Sequence, residues 1–356
     1  VWWAALVRVL GGGLGALAAC QVVLYLITLV LIGRITRRLA ATVGSPRFAS
    51  WVGWLGAALF LLLDEPAAAT NRVLAGSLQL ALTVGLLDAL TGTEVRAGRS
   101  ASSRRAAVIG VLTGLCCLAF PPYLALLPLV PLWLFAGGAG GQRAALVAAL
   151  LSISAIAPAT IHNWKASGEF IPISSQAGLT FYHGNNPAAD GTLAAVGVVN
   201  SKEEQALDSL VKARLALEDE TAGWNEASRY WLGQGLEWWR AEPDRALSVA
   251  GVKLWYTLTG RHYGDVYQPW MERRDGVATR LWLAPLSLAW LLPAGLWTLL
   301  VLGRRKGLRI AGPYLLVVAV PLVVCIVFWY TPRYRLPASA GLLPLAALAA
   351  GHVVRD

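Results

Sequence analysis

Four clusters of side chains have the types and spacing for chemistry. The first is Arg333-Tyr334-Arg335, set directly before the apolar run that opens at Leu336. Guanidinium groups are fixed, planar, bidentate donors that match phosphate and carboxylate. At the end of a membrane run they suit a phosphate at headgroup depth. The plain alternative is a pair of interface anchors. The second cluster is Asp64-Glu65, immediately after Leu61-Leu62-Leu63. A carboxyl at the lip of an apolar wall resists ionisation, which suits a general base. Its plain alternative is a solvated loop in which Pro66 starts the next element. The third is Lys253 with Arg261, His262, Tyr263 and Asp265. These cations could join Arg333 around one anionic group, or simply form a solvated helix face. The fourth is the run 161–192, dense in Gly, Asn, Ser and aromatics. Tyr182 and His183 are groups that stack on or bond to a sugar, although a lone His is more often structural. Gly184, Asn185 and Asn186 are expected to admit left-handed backbone. No Rossmann fingerprint, P-loop, HExxH or GxSxG is present. Cys20, Cys116, Cys117 and Cys325 lie inside apolar runs with no metal or disulfide spacing.

Composition decides what must position these groups. Of 356 residues, 56% are hydrophobic and only 14% are charged. A soluble domain carries about 25% charge and must cover its surface with polar groups. Soluble enzymes, disordered chains and disulfide scaffolds are therefore excluded, and an all-α membrane protein is expected. The formal net charge is +10. That sum hides a division. Residues 165–275 hold 15 of the 20 acids and are net −4, whereas the remainder is net +14. The bases of the remainder sit at the ends of apolar runs. This is membrane topology and not a nucleic-acid surface. No basic n-region followed by a cleavage site is legible, so no signal peptide is expected.

Apolar runs of near-spanning length are Leu14–Gly33, Phe48–Leu63, Val73–Leu90, Ala144–Ile161, Leu281–Gly303, Ile310–Tyr330 and Leu336–Val353. The run Ala106–Phe135 is too long for one span and carries Pro121-Pro122 at its middle, where an interior proline breaks a helix. Reading it as a hairpin puts 14 bases on one side and only four (Arg8, Arg72, Arg333, Arg335) in short segments on the other, as the positive-inside rule requires. The expectation is about nine membrane segments in three parts: a bundle over 1–162 that includes the hairpin at 106–135, an extracytoplasmic loop domain over 163–280, and three C-terminal spans over 281–356. The loop domain should be small and mainly helical. A capping box at Ser201-Lys202-Glu203-Glu204 opens one helix, a second covers Glu226–Arg240, and a third begins near Pro243. The 16 Trp fit membrane interfaces.

The run HNWKASGEFIPISSQAGLTFYHGNNPAADG resembles a hallmark of bacterial polytopic glycosyltransferases of the GT-C fold, relatives of the protein O-mannosyltransferases (glycosyltransferase family 39) and of the lipid A aminoarabinose transferase. The matching positions include Pro158, Asn163, Trp164, Gly168, Glu169, Phe170, Ser174, Ser175, Gly178, Phe181, Tyr182, Gly184, Asn185, Asn186, Pro187 and Gly191. Arg333-Tyr334-Arg335-Leu336-Pro337 is similar to the family's Arg-Tyr-Arg-x-Pro approach to its last span, and GVKLWYTLTG to its Lys-Leu-aromatic helix. His162 stands where the family has Arg. Val1–Gly33 resembles the family's second segment, so the resemblance implies that the catalytic carboxylate of the first outer loop precedes Val1. The resemblance implies a GT-C-like bundle in the cytoplasmic membrane and a donor that is a polyprenyl-phosphate sugar. It also implies a hydroxyl or amine acceptor, transfer with inversion, and no certain cofactor, a divalent metal being left open. Asp64 and Glu65, a candidate base by their own chemistry and not equated with that earlier carboxylate, lie in the next outer loop, and Arg333, Arg335, Lys253 and Arg261 are expected to hold the donor phosphate. Asn163, Tyr182, His183, Asn185 and Asn186 line a substrate loop. An inactive or truncated module and a polytopic transporter are the competing expectations, and no nucleic acid is expected as a partner.

Overall fold

The computed structural model describes residues 13–70, 75–92, 102–138, 141–192, 202–260 and 286–355. The chain is all-α. Among the described residues the one extended feature is an isolated parallel bridge between Leu63 and Leu286. The helices are α1 (Leu14–Ala40), α2 (Pro46–Leu62), α3 (Asp64–Thr70), α4 (Gly76–Leu90), α5 (Ser103–Ala119), α6 (Leu126–Trp133), α7 (Gly141–Ser167) and α8 (Ala177–Gly184). They continue as α9 (Lys202–Leu217), α10 (Trp224–Ala241), α11 (Pro243–Thr259), α12 (Leu288–Lys306), α13 (Leu308–Val327), α14 (Pro332–Arg335) and α15 (Ser339–Arg355).

Among the described residues, four helical stretches are long and apolar enough to cross a membrane: Gly15–Ala40, Gly141–Ser167, Leu308–Val327 and Pro332–Val353. Pro46–Leu62, Gly76–Leu90 and Pro121–Ala136 are apolar but shorter. The chain is thus helical and multi-pass in character. The long run breaks where its prolines stand. Helix α5 stops at Ala119, Phe120 turns extended, and Pro121–Ala125 forms a 3-10 turn before α6. A proline lacks the donor that would continue the ladder, and its ring crowds the preceding turn.

Helix α15 runs through the centre of the bundle. It packs on α1, α2, α4, α12 and α13, and Leu342, Leu343, Leu345 and Ala347 are fully buried. A second apolar cluster joins α4 to α5, α6 and α7 around Phe120, Tyr123 and Ile156. Above the bundle, α8 and α9 both pack on α10, and α10 packs on α11. Helix α11 in turn lies against α12 and α13, so it joins the loop helices to the membrane helices. Two of the three loop helices match expectation closely: α10 covers Glu226–Arg240 and α11 starts at Pro243. The Ser201 cap lies outside the described residues.

Candidate functional site

Two buried cations stand at the junction between loop helices and bundle. The first is Arg335, at the end of the short turn α14 and fully buried. Its Nη2 pairs with Oε1 of Glu65, itself buried in the first turn of α3. Its Nη1 donates to the Thr257 carbonyl at 3.1 Å. Glu65 Oε2 accepts from the Leu288 amide at 3.3 Å, at the start of α12. The Tyr330 ring lies 5.9 Å from the guanidinium carbon. One ion pair therefore ties the starts of α3, α12 and the last span to the end of α11. Gly260 closes α11 in a left-handed conformation at φ +68°. A Cβ there would fall 2.5 Å from Arg335 Nη1, so glycine is needed for both the turn and the space.

The second is Lys253, one turn before Thr257 on the same buried face of α11. It has no carboxylate partner among the described residues. Its Nζ donates to Asn185 Oδ1 at 3.0 Å, and Trp239 Nε1 donates to the same oxygen at 3.0 Å. Asn185 Nδ2 donates to the carbonyls of Phe181 (2.7 Å) and Val327 (2.9 Å). The amide is thus saturated, two bonds in and two bonds out. Burial of an ammonium without a counter-charge favours its neutral form, and the Lys253 pKa is pulled down to about 8.

The other residues singled out in the sequence are spread more widely. Asp64 is partly exposed, and its amide donates to the Leu286 carbonyl at 3.2 Å. Arg333 is partly exposed, its guanidinium carbon 5.5 Å from the Tyr334 ring centre. His183 is buried in the last turn of α8, and burial lowers its pKa. Tyr182 meets Trp231 at 4.9 Å between ring centres, and burial raises its pKa, with Tyr230 adding to the effect. Asn186 Nδ2 donates to the carbonyls of Tyr182 (2.8 Å) and His183 (3.2 Å), closing α8. Asn163 Nδ2 donates to the carbonyls of Ile171 (3.0 Å) and Ile173 (3.1 Å), folding the following turn back on α7. Arg261, His262, Tyr263 and Asp265 lie outside the described residues. Glu65 and Arg335, assigned separate tasks by their residue types, are partners in one pair. Lys253 is not on a solvated face.

The motif run has a structural logic of its own. Gly168 is left-handed at φ +73° and turns the chain out of α7. Glu169 Oε1 and Oε2 then accept from the amides of Trp224 (2.5 Å) and Asn225 (2.8 Å), capping α10. Gly178 and Gly184 are close-approach positions: a Cβ would fall 1.7 Å from the Ser228 carbonyl oxygen and 1.8 Å from that of Phe328. None of Gly184, Asn185 and Asn186 uses the left-handed conformation that its type admits. Asn185 sits at φ −140°, ψ 69°, and its side chain reaches α11 and α13 at once. Trp239, Thr257 and Gly260 were not picked out from sequence. Only Gly260, directly after a helical stretch, carried a readable signal. No protein-family model, curated protein or solved structure matches the chain. The functional reading rests on these residues.

Proposed function

We propose that this chain is a glycosyltransferase of the cytoplasmic membrane. It moves a sugar from a polyprenyl-phosphate donor to a hydroxyl or amine acceptor on the extracytoplasmic face, within a GT-C-like bundle of about nine segments. The carrying observation is Lys253: a buried ammonium whose one bonded partner among the described residues is a neutral amide, on the same helix face as the backbone carbonyl that holds Arg335. A cation kept out of water without a counter-charge costs stability, and such groups mark sites for anions. Arg335 and the partly exposed Arg333 extend the cationic ground, and the positive-inside rule places it outward.

As the glycosidic C–O bond breaks, negative charge collects on the leaving phosphate. Lys253 and Arg333 are the donors for that charge, and Arg335, tied to Glu65, adds its field from behind them. Asp64 is the more open of the two carboxylates and takes the acceptor proton. Glu65 positions Arg335. Attack from the face opposite the phosphate inverts the anomeric carbon. Among the described residues no group of three or more His, Cys, Asp or Glu gathers as a metal cage.

The inactive module remains the second reading, favoured by one observation: Glu65 and Arg335 already satisfy each other's charge. The two readings part on a binding and turnover assay with radiolabelled polyprenyl-phosphate sugars and the purified chain. Donor binding that is lost in Lys253→Met, with the thermal transition retained, is the expected result. Donor affinity unchanged in that variant would overturn the assignment. Binding without turnover in the parent would favour the inactive module.

A further inference from the structure

The three loop helices present different outer faces. Helix α9 carries Asp208 and Lys212 on its open side, and α10 carries Arg229, Glu237 and Arg240. Both interleave that charge with exposed apolar residues, Leu207, Val211 and Leu215 on α9 and Leu232 and Leu236 on α10. Helix α11 does not. From Ala246 to Thr259 its only charged residue is Lys253, and that side chain is turned inward. The inward stripe is Ala246, Val249, Lys253 and Thr257. The opposite stripe is apolar and open: Leu247 is 63% exposed, Leu254 44%, Trp255 63% and Leu258 38%. These spacings of seven, one and three residues keep the four on one side of the helix.

The helix that carries the stripe packs on α13, which is long and apolar enough to cross a membrane. Helix α11 packs on α12 and α13, whose ends on this side expose Trp290 and Val327. The stretch from Ala246 to Thr259, whose one charge points inward, spans about 21 Å at 1.5 Å per residue, too short to cross a core of about 30 Å. An amphipathic segment of that length, uncharged on its outer face, carrying an exposed tryptophan and lying against the span-length α13, has the character of an interfacial helix.

We infer that α11 lies in the leaflet bordering the loop helices, with Leu247, Leu254, Trp255 and Leu258 immersed in lipid. The inference rests on the multi-pass character of the chain and holds whether or not the transferase reading does. Its consequence is depth. Lys253 sits across the same helix from Leu254 and Trp255, so its ammonium lies at the level of lipid headgroups. Any anion it meets comes from the membrane surface.

The test is collision accessibility of nitroxide labels on the full chain in liposomes. Leu254→Cys and Leu258→Cys are labelled after Cys20→Ala, with Arg229→Cys on α10 as the aqueous control. Faster relaxation by oxygen than by a water-soluble nickel chelate at 254 and 258, and the reverse at 229, is expected, with the oxygen-to-nickel ratio several-fold higher on α11. Nickel-dominated relaxation at 254 and 258 would overturn the inference by showing a solvated stripe. Protection from both reagents would overturn it equally, by showing a protein segment on the stripe.

Discussion

Arg335 and Lys253 are both buried cations held at the same helix, yet the fold compensates them in opposite ways. Arg335 has a full counter-charge in Glu65 and a backbone acceptor in Thr257. Lys253 has one neutral amide oxygen, shared with Trp239. Breaking the first leaves a stranded charge. Removing the second relieves one. The pair is thus a structural tie that chemistry can use only by dismantling it, whereas the lysine meets no carboxylate among the described residues. This contrast is why Lys253 carries the functional proposal and Glu65 is relieved of the role of base.

The largest expected effect follows from the tie. Arg335→Met or Glu65→Leu alone should each cost about 3–5 kcal/mol, because each leaves an uncompensated buried charge. The double variant Glu65→Leu with Arg335→Met should recover most of that loss. Thermal unfolding of the four proteins in one detergent measures the cycle. Additive losses would mean that the two side chains do not act as a unit, and the comparison would break at its first term.

Much of this arrangement was readable from the residues. Hydropathy marked the all-α character, Pro121-Pro122 marked the break after α5, and Pro243 marked the start of α11. Asp64-Glu65, Lys253 and Arg335 were all identified by type and position. What could not be read was their pairing. Glu65 and Arg335 are 270 residues apart, and Lys253 and Asn185 are 68 apart. Nothing local encodes either contact, since each depends on how separate helices pack. Asn185 shows the same limit in reverse. Its type tolerates a left-handed turn, but hydrogen bonds to α10, α11 and α13, with a fourth to Phe181 of the helix it caps, hold it at φ −140°.

The second effect has the opposite sign. Lys253→Met should raise stability at pH 7 by about 3 kcal/mol, from a pKa lowered from 10.5 to about 8. In the parent, the unfolded chain holds the lysine proton up to about pH 10.5, whereas the folded chain releases it near pH 8. The unfolded state therefore binds more protons between those values, and stability must rise with pH across that window. Below pH 8 both states are protonated and the full cost persists. Unfolding measured from pH 7 to 10.5 should show this rise in the parent and none in Lys253→Met. A parallel rise in both would assign the slope to another group.

A smaller loss is expected for Asn185→Ala, about 2 kcal/mol. It strands the Trp239 donor and the carbonyls of Phe181 and Val327, and it leaves Lys253 free to shed its proton instead of remaining charged. That last route makes the loss pH-dependent, so the penalty should shrink above pH 8. A penalty that is flat with pH would show that the amide supports the helices without stabilising the ammonium.

The smallest effect lies at acid pH, where His183 sharpens the comparison. It too is buried, and burial lowers its pKa below 6.5. Here the folded state refuses a proton that the unfolded state accepts, so stability falls as pH drops through 6.5 towards the folded value. The lysine is a cation that the fold tolerates charged at neutral pH, and the histidine is a base that the fold keeps neutral. The difference between parent and His183→Gln profiles should therefore appear only below about pH 7, well apart from the Lys253 window. A difference that persists unchanged to pH 8 would mean that His183 contributes packing or hydrogen bonding, and that burial alone does not govern its protonation.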